Sequence, residues 1–178
     1  VGHYDAYRKI KNIDDRFVFR PINPIDHNKE VMIYRKDANE LIREIETDVL
    51  YVDPPYNSRQ YSRFYHVLEN LTQWKKPKLF GVALKPEPEN ISEYCKVAAF
   101  DQFRDLIENA NAKEIIVSYN NTYNSKSKSS ENKISHEQIL SVLKAKGKTL
   151  ELSKEHNHFN AGKTKFDDHR EFLFVTKT

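Results

Sequence analysis

An α/β layered domain built on a largely parallel sheet is the fold class this sequence predicts, and three observations carry the expectation. Apolar runs of strand length recur along the chain, stretches with apolar residues at helical spacing separate them, and polar clusters directly follow two of the runs. Ligands in such sheets sit beyond the carboxyl ends of the strands, so the two polar clusters mark the edge where function is expected.

Residues 1–29 show no clean period and hold turn signals at Pro21, Asn23-Pro24 and Asp26, so this lead-in is read as mostly irregular. Residues 31–34 form an apolar run suited to a buried strand, and Ala38, Leu41, Ile42 and Ile45 follow at the i, i+3, i+4, i+7 spacing of an amphipathic helix. A second strand is expected at 49–52, stopping against Pro54 and Pro55, which cannot donate to a ladder. Phe64, Val67, Leu68 and Leu71 again have helical spacing, and Lys76-Pro77, Pro86 and Pro88 mark a long loop. The next helix is expected from near Ser92 through Ala99, Phe103, Leu106, Ile107 and Ala110, followed by a buried strand at 115–117. After a polar stretch at 120–133, Ser135 and Gln138 have the form of a capping box opening a helix with Ile139, Leu140 and Leu143. Two strands, 148–152 and 171–175, finish the chain around a loop at Asn160-Ala161-Gly162. There is no internal repeat.

The 178 residues suffice for one domain with a single core, and the 38% of hydrophobic residues are spread without any run near the ~20 needed to span a membrane. A solitary Cys95 is read as a packing residue. With no signal peptide, the expectation is a reducing cytoplasm. The net charge of +3 is too small to identify a nucleic-acid partner. Its distribution says more. Between Asn57 and Phe80, Arg59, Arg63, Lys75, Lys76 and Lys78 face one acid, Glu69, with Tyr61, Phe64, Tyr65, Trp74 and Phe80 interleaved. Charges can meet phosphates there and rings can meet bases; the plainer reading is a solvated helix face with core aromatics.

The tetrapeptide Asp53-Pro54-Pro55-Tyr56 carries the sharpest chemistry. Two prolines fix the backbone after a strand, so the Pro54 carbonyl points in a set direction beside the Asp53 carboxylate. Together they could accept both hydrogens of an exocyclic amine and draw its lone pair out of conjugation towards an electrophile. The Tyr56 ring could stack on the base that carries the amine. As bare structure, the same four residues make a rigid strand-ending turn with a capping Asp and a core Tyr.

The run from Asp48 to Leu71, DVLYVDPPYNSRQYSRFYHVLENL, resembles the DPPY-type adenine-specific N6 DNA methyltransferases of bacterial restriction-modification systems. Asp37-Ala38 resembles the family position that contacts the adenine of S-adenosylmethionine, 118–122 (SYNNT) the segment after its fifth strand, and 170–178 (REFLFVTKT) its closing strand. From about Lys29 onwards, the resemblance implies a class I, Rossmann-like methyltransferase sheet with helices on both faces. It implies S-adenosylmethionine as methyl donor and a flipped adenine of double-stranded DNA as acceptor. Asp53, Pro54 and Tyr56 then become the catalytic set, and Asp37, Ala38 and Asp53 the cofactor contacts. Tyr56, Arg59, Tyr61, Arg63 and Asn120 are candidate nucleic-acid contacts. Lys126 is another, although its loop also reads as merely solvated, and Phe159 or Phe166 could close the second face of the base pocket or simply pack in the core. Residues 31–178 would be the catalytic part, and 1–30 a lead-in closing a target-recognition region.

One departure matters. The family's glycine-rich cofactor loop follows its first strand, and the four glycines here, Gly2, Gly81, Gly147 and Gly162, lie far apart. In the family order 3-2-1-4-5-7-6, loss of strands 1 and 2 would leave 31–34 without a neighbour and 49–52 as an exposed edge. The expectation is an incomplete sheet that needs a missing amino-terminal segment, or a second chain, carrying the loop. A DNA-binding remnant without catalysis and a cytosine-N4 methyltransferase remain as alternatives; the latter group usually has Ser where Asp53 stands. His156, His158, Asp167, Asp168 and His169 match no metal-ligand spacing closely, so no metal is expected.

Overall fold

The computed structural model describes residues 20–25, 28–122, 128, 131–155 and 169–178. The chain divides into two compact units, Val1–Lys36 with Arg63–Glu87, and Asp37–Ser62 with Pro88–Thr178.

The larger unit holds a four-stranded sheet. Its strands are β1 (Glu46–Val52), β2 (Asn111–Asn120), β3 (Lys148–Glu155) and β4 (Arg170–Lys177), in the order β1-β2-β4-β3. β1 runs parallel to β2, whereas β4 is antiparallel to both β2 and β3. The sheet is therefore mixed rather than largely parallel. β3 and β4 are joined without a described helix, and antiparallel neighbours need no helical crossover, whereas parallel ones do.

Alternation of side chains decides which face is buried. Leu50 and Val52, Ile115, Val117 and Tyr119, and Phe174 pack in one core with Phe103, Leu106 and Ile107 of α4 (Ala99–Asn109) and Ile139, Val142 and Leu143 of α5 (His136–Lys146). Val49, Tyr51, Leu150, Leu152 and Leu173 have the opposite parity and are exposed. Thus α4 and α5 share one face, and helices on both faces are not seen among the described residues. At the end of α5, a Cβ on Gly147 would lie 2.0 Å from the Lys177 carbonyl, so this close approach admits only glycine.

Several elements form where local chemistry predicts them. The capping box is present, with Ser135 Oγ accepting from Gln138 N at 3.2 Å and Gln138 Oε1 accepting from Ser135 N at 2.8 Å. Ser92 caps not a long helix but a 3-10 turn (Glu93–Cys95), and α4 begins only at Ala99. The helix expected from Ala38 shrinks to α1 (Ala38–Leu41). What holds so short an element is a polar knot. The buried Asn39 donates Nδ2 to the Gln102 carbonyl at 2.8 Å and to Asp105 Oδ2 at 2.7 Å, and accepts from the Tyr94 hydroxyl at 2.8 Å. Hydrogen bonds from Arg43 and Asn39 hold the Asp105 carboxyl below its ordinary range.

Residues 31–34 are not a buried strand. They lack regular structure, and Ile33 is 91% exposed. An apolar run becomes a strand only with a ladder partner, and among the described residues it has none. β1, by contrast, has a ladder partner in β2 and lies at one edge of the sheet among the described residues.

α2 (Tyr61–Phe64) spans the boundary between the units, and the smaller unit continues with α3 (His66–Thr72). The single predicted helix thus breaks at Tyr65, and only His66 and Val67 of α3 are buried; Leu68 and Leu71 stay exposed. α3 ends in a Schellman motif, with Lys75 N donating to the Asn70 carbonyl at 2.8 Å and Trp74 N to that of Leu71 at 3.2 Å. Glycine usually occupies the left-handed position there. Here Trp74 does, at φ 54°, and an L-residue in that region costs roughly 1–2 kcal/mol. The chain then turns back through the Phe80–Lys85 bridge, with Gly81 at φ 67° and Leu84 at φ 50°.

Candidate active site

Parallel pairing of β1 with β2 puts their carboxyl ends side by side, with Val52 opposite Val117. Both polar clusters therefore emerge at one edge, 53–56 from β1 and Ser118 onwards from β2. The turn is anchored through the Tyr56 carbonyl, which accepts from Lys133 N at 2.8 Å and from the Tyr119 hydroxyl at 3.2 Å. That hydroxyl also accepts from Ile134 N at 3.2 Å, so Tyr119 links the turn to the segment entering α5. Tyr119 is fully buried, and desolvation pushes its phenol up to about 12, which keeps the donor protonated.

The side chains of the turn make a compact group. The Tyr56 hydroxyl donates to Asp53 Oδ1 at 2.6 Å and lies 3.4 Å from Ser118 Oγ. Burial, with the Asp53 carboxylate beside it, holds the Tyr56 phenol far above its ordinary range. The Tyr56 ring meets Tyr119 edge to face, with centroids 4.8 Å apart. Pro54 is buried, while Asp53 is exposed. The arrangement is an accessible carboxylate on a rigid backbone, oriented by a neutral phenol.

A second knot secures the end of β2. Asn120, 8% exposed, accepts at Oδ1 from Thr122 N at 3.3 Å and from Asn132 Nδ2 at 3.1 Å; the Thr122 hydroxyl lies 2.8 Å from the same atom. Asn132 Nδ2 also donates to the Asn120 carbonyl at 2.6 Å. The adjacent Asn121 accepts from Arg170 N at 2.9 Å. Asn120 thus joins Thr122 to Asn132 and is itself buried.

The other predicted residues fall as follows. Asp37 is exposed and caps α1, accepting at Oδ1 from Asn39 N at 2.9 Å and Glu40 N at 3.3 Å; Ala38 beside it is exposed. Arg59 is exposed, and its amide donates to Asn57 Oδ1 at 3.0 Å. Tyr61 is exposed. Arg63 belongs to the smaller unit, where its guanidinium bonds the Pro86 carbonyl and its own carbonyl accepts from Lys85 Nζ at 3.1 Å. Lys126, Phe159 and Phe166 lie outside the described residues, as does the loop at 160–162. Cys95 is buried, with Sγ 3.6 Å from the Arg59 carbonyl, and burial pushes its thiol up.

Sequence reasoning missed Ser118 as the second neighbour of the Tyr56 phenol, and Tyr119 as the anchor of the turn. Only their position directly after a strand that could pair with 49–52 hinted at either. For an S-adenosylmethionine site, the larger unit offers exposed carboxylates at the start of α1 and the end of β1. Carboxylates of this kind can accept from the hydroxyl and amine donors of such a ligand.

Comparison with known proteins gives this geometry a family. The model of the D12 class N6 adenine-specific DNA methyltransferases matches residues 2–136. The modification methylase StsI of Streptococcus sanguinis is 40% identical over 150 residues, 81% of this chain and 21% of that protein. The type II methyltransferase M.FokI of Planomicrobium okeanokoites is 38% identical over 152 residues, 82% of this chain and 22% of its own length. M.CviAII, a type II methyltransferase of Paramecium bursaria Chlorella virus 1, is 32% identical over 176 residues, 96% of this chain and 50% of that protein. The chain belongs to the D12 class N6 adenine-specific DNA methyltransferase family. It spans about one fifth of the length of the first two relatives. No solved structure gives a significant match.

Proposed function

We propose that this chain carries the base-binding catalytic residues of a site-specific DNA methyltransferase, which transfers a methyl group to the exocyclic N6 amine of an adenine extruded from double-stranded DNA. The observation that carries the reading is the exposed Asp53 carboxylate at the carboxyl end of the parallel β1–β2 pair, held by the Tyr56 phenol at 2.6 Å.

The Asp53 carboxylate and the Pro54 carbonyl accept the two hydrogens of the amine, turning its lone pair out of the ring system. The phenol occupies Oδ1 and leaves Oδ2 to the amine. Asp53 stabilises the positive charge that develops on nitrogen and receives the proton released there. The Tyr56 ring stacks on the base, its backbone fixed by Tyr119 and Lys133. S-adenosylmethionine supplies the electrophilic methyl group when bound, with Asp37, Ala38 and Asp53 as contacts from this chain.

The strand order β1-β2-β4-β3 has the pattern of the 4-5-7-6 stretch of a class I sheet, which supports the Rossmann-like reading. The relatives extend well beyond the stretch this chain matches, leaving room in such proteins for a glycine-rich loop and a target-recognition region. Among the described residues no helix is long and apolar enough to cross a membrane. A reducing cytoplasm, inferred from the lone cysteine, suits a DNA substrate.

Asp53→Ala tests the reading. Labelled methyl incorporation into DNA should fall ~10²–10³-fold with circular dichroism unchanged, the usual cost of losing one such polar contact. Incorporation near the wild-type rate would remove Asp53 from the mechanism. Calorimetric titration with S-adenosylmethionine, with and without Asp37→Ala, tests the cofactor contact; identical heats and affinity would exclude it.

A further inference from the structure

The smaller unit contains a surface that the catalytic reading leaves unused. After α3, Trp74 sits at the left-handed position of the Schellman motif, where glycine would carry no strain. Burial does not repay that strain, because Trp74 is 75% exposed. Lys75, Lys76 and Lys78 follow, all exposed, and among the described residues no carboxylate pairs with any of them. The ammonium of Lys76 lies 5.8 Å from the Trp74 ring centroid, and that of Lys78 lies 5.3 Å from that of Phe80. Within 63–87 there are five cations, Arg63, Lys75, Lys76, Lys78 and Lys85, against Glu69 and Glu87. Glu69 is already bonded to Gln73. At the turn beyond, Val82 is 92% exposed, and Leu84 is again left-handed.

A backbone held in an unfavourable region to present a large ring to water points to a ligand for that ring. The neighbouring charges say which kind. Unpaired lysines flanking exposed aromatic and apolar side chains complement a polyanion that also has stacked planar faces. We propose that the surface formed by Trp74, Lys75, Lys76 and Lys78 is a duplex-DNA contact in its own right: the lysines take phosphates, and the indole packs against sugar or base edges. This rests on the reading of DNA as substrate. A protein partner suits the surface less, because the core of a protein interface is depleted in lysine.

The sequence contains one tryptophan beside ten tyrosines, so emission excited at the red edge, where only indole absorbs, reports this surface alone. The chain is titrated with an unlabelled short duplex while emission is followed. Binding is measured separately by anisotropy of a fluorescein-labelled duplex at several salt concentrations. Saturating duplex should quench or shift Trp74 emission. The triple variant Lys75→Ala, Lys76→Ala, Lys78→Ala should lower the slope of log affinity against log salt by about 2–3, near 0.9 per lost phosphate contact. Trp74→Ala should weaken binding on the order of tenfold, and Trp74→Phe less. All four residues are exposed, so these variants should fold. Unchanged emission with duplex bound, or an unchanged salt slope in the triple variant, overturns the proposal and leaves the methyltransferase reading standing. Absence of duplex binding even at low salt would count against both.

Discussion

At residues 53–56, polar atoms turn inwards: the Tyr56 carbonyl holds two donors, its phenol bonds Asp53, and its ring meets the buried Tyr119. At residues 73–85, the rings of Trp74 and Phe80 and the ammonium groups of Lys75, Lys76 and Lys78 turn outwards, and the backbone is left-handed at Trp74, Gly81 and Leu84. Both segments leave a regular element and carry aromatic residues, yet they satisfy opposite demands. A group that must act on developing charge needs its geometry fixed in advance, so its neighbours are buried and bonded. A surface that meets a charged partner needs reach and free donors, and tolerates local strain. Two stretches that each carry proline and aromatic residues are thus told apart by where their hydrogen bonds go.

The largest effect should come from breaking the inward side at the ring. Tyr56→Ala should lose ~1–3 kcal/mol of base retention, whereas Tyr56→Phe and Tyr56→Trp keep most of it, because stacking needs a face. Fluorescence of 2-aminopurine at the target position reports extrusion. Equal signals for the Ala and Trp variants would show that Tyr56 does not stack. Tyr119→Phe keeps the buried ring and deletes the hydroxyl shared by the Tyr56 carbonyl and Ile134 N. It should cost about 1–2 kcal/mol in urea melts and lower the methylation kcat more than it raises KM, since the turn is then less well placed. A fall in stability with kcat untouched would make Tyr119 only a core residue. The smallest effect should lie on the outward side. Trp74→Gly relieves the left-handed strain and should raise stability by a few tenths to about 1 kcal/mol. A loss of that size would mean that the indole packs in the folded state after all.

Local signals were legible in the sequence, and long-range ones were not. The Ser135–Gln138 capping box is complete within four residues, so spacing alone predicts it. The turn at 53–56 was legible because two prolines end any strand. Residues 31–34 looked equally strand-like, but a strand exists only with a partner, and no local pattern states whether one is present. Tyr119 escaped notice because its hydroxyl joins residues on three separate segments. The Schellman end of α3 escaped because its usual sign is glycine, and Trp74 stands there instead. The sheet expected to be largely parallel is mixed because β4 runs antiparallel to both its neighbours, and the lack of a helical pattern between β3 and β4 already favoured an antiparallel pair there.

The place of β4 in the sheet also sets an order in time. Arg170–Lys177 lies between β2 and β3, so a strand that leaves the ribosome after both is the one that joins them. Until it arrives, Lys148–Glu155 has no ladder among the described strands, and the core lacks Phe174 beneath α5. Such late pairing of distant segments makes folding slow and leaves strand edges unprotected. A chain cut shortly before residue 170 would therefore display β3 without a ladder and β2 with one open edge among the described strands, and would be a target for chaperones that bind exposed strands.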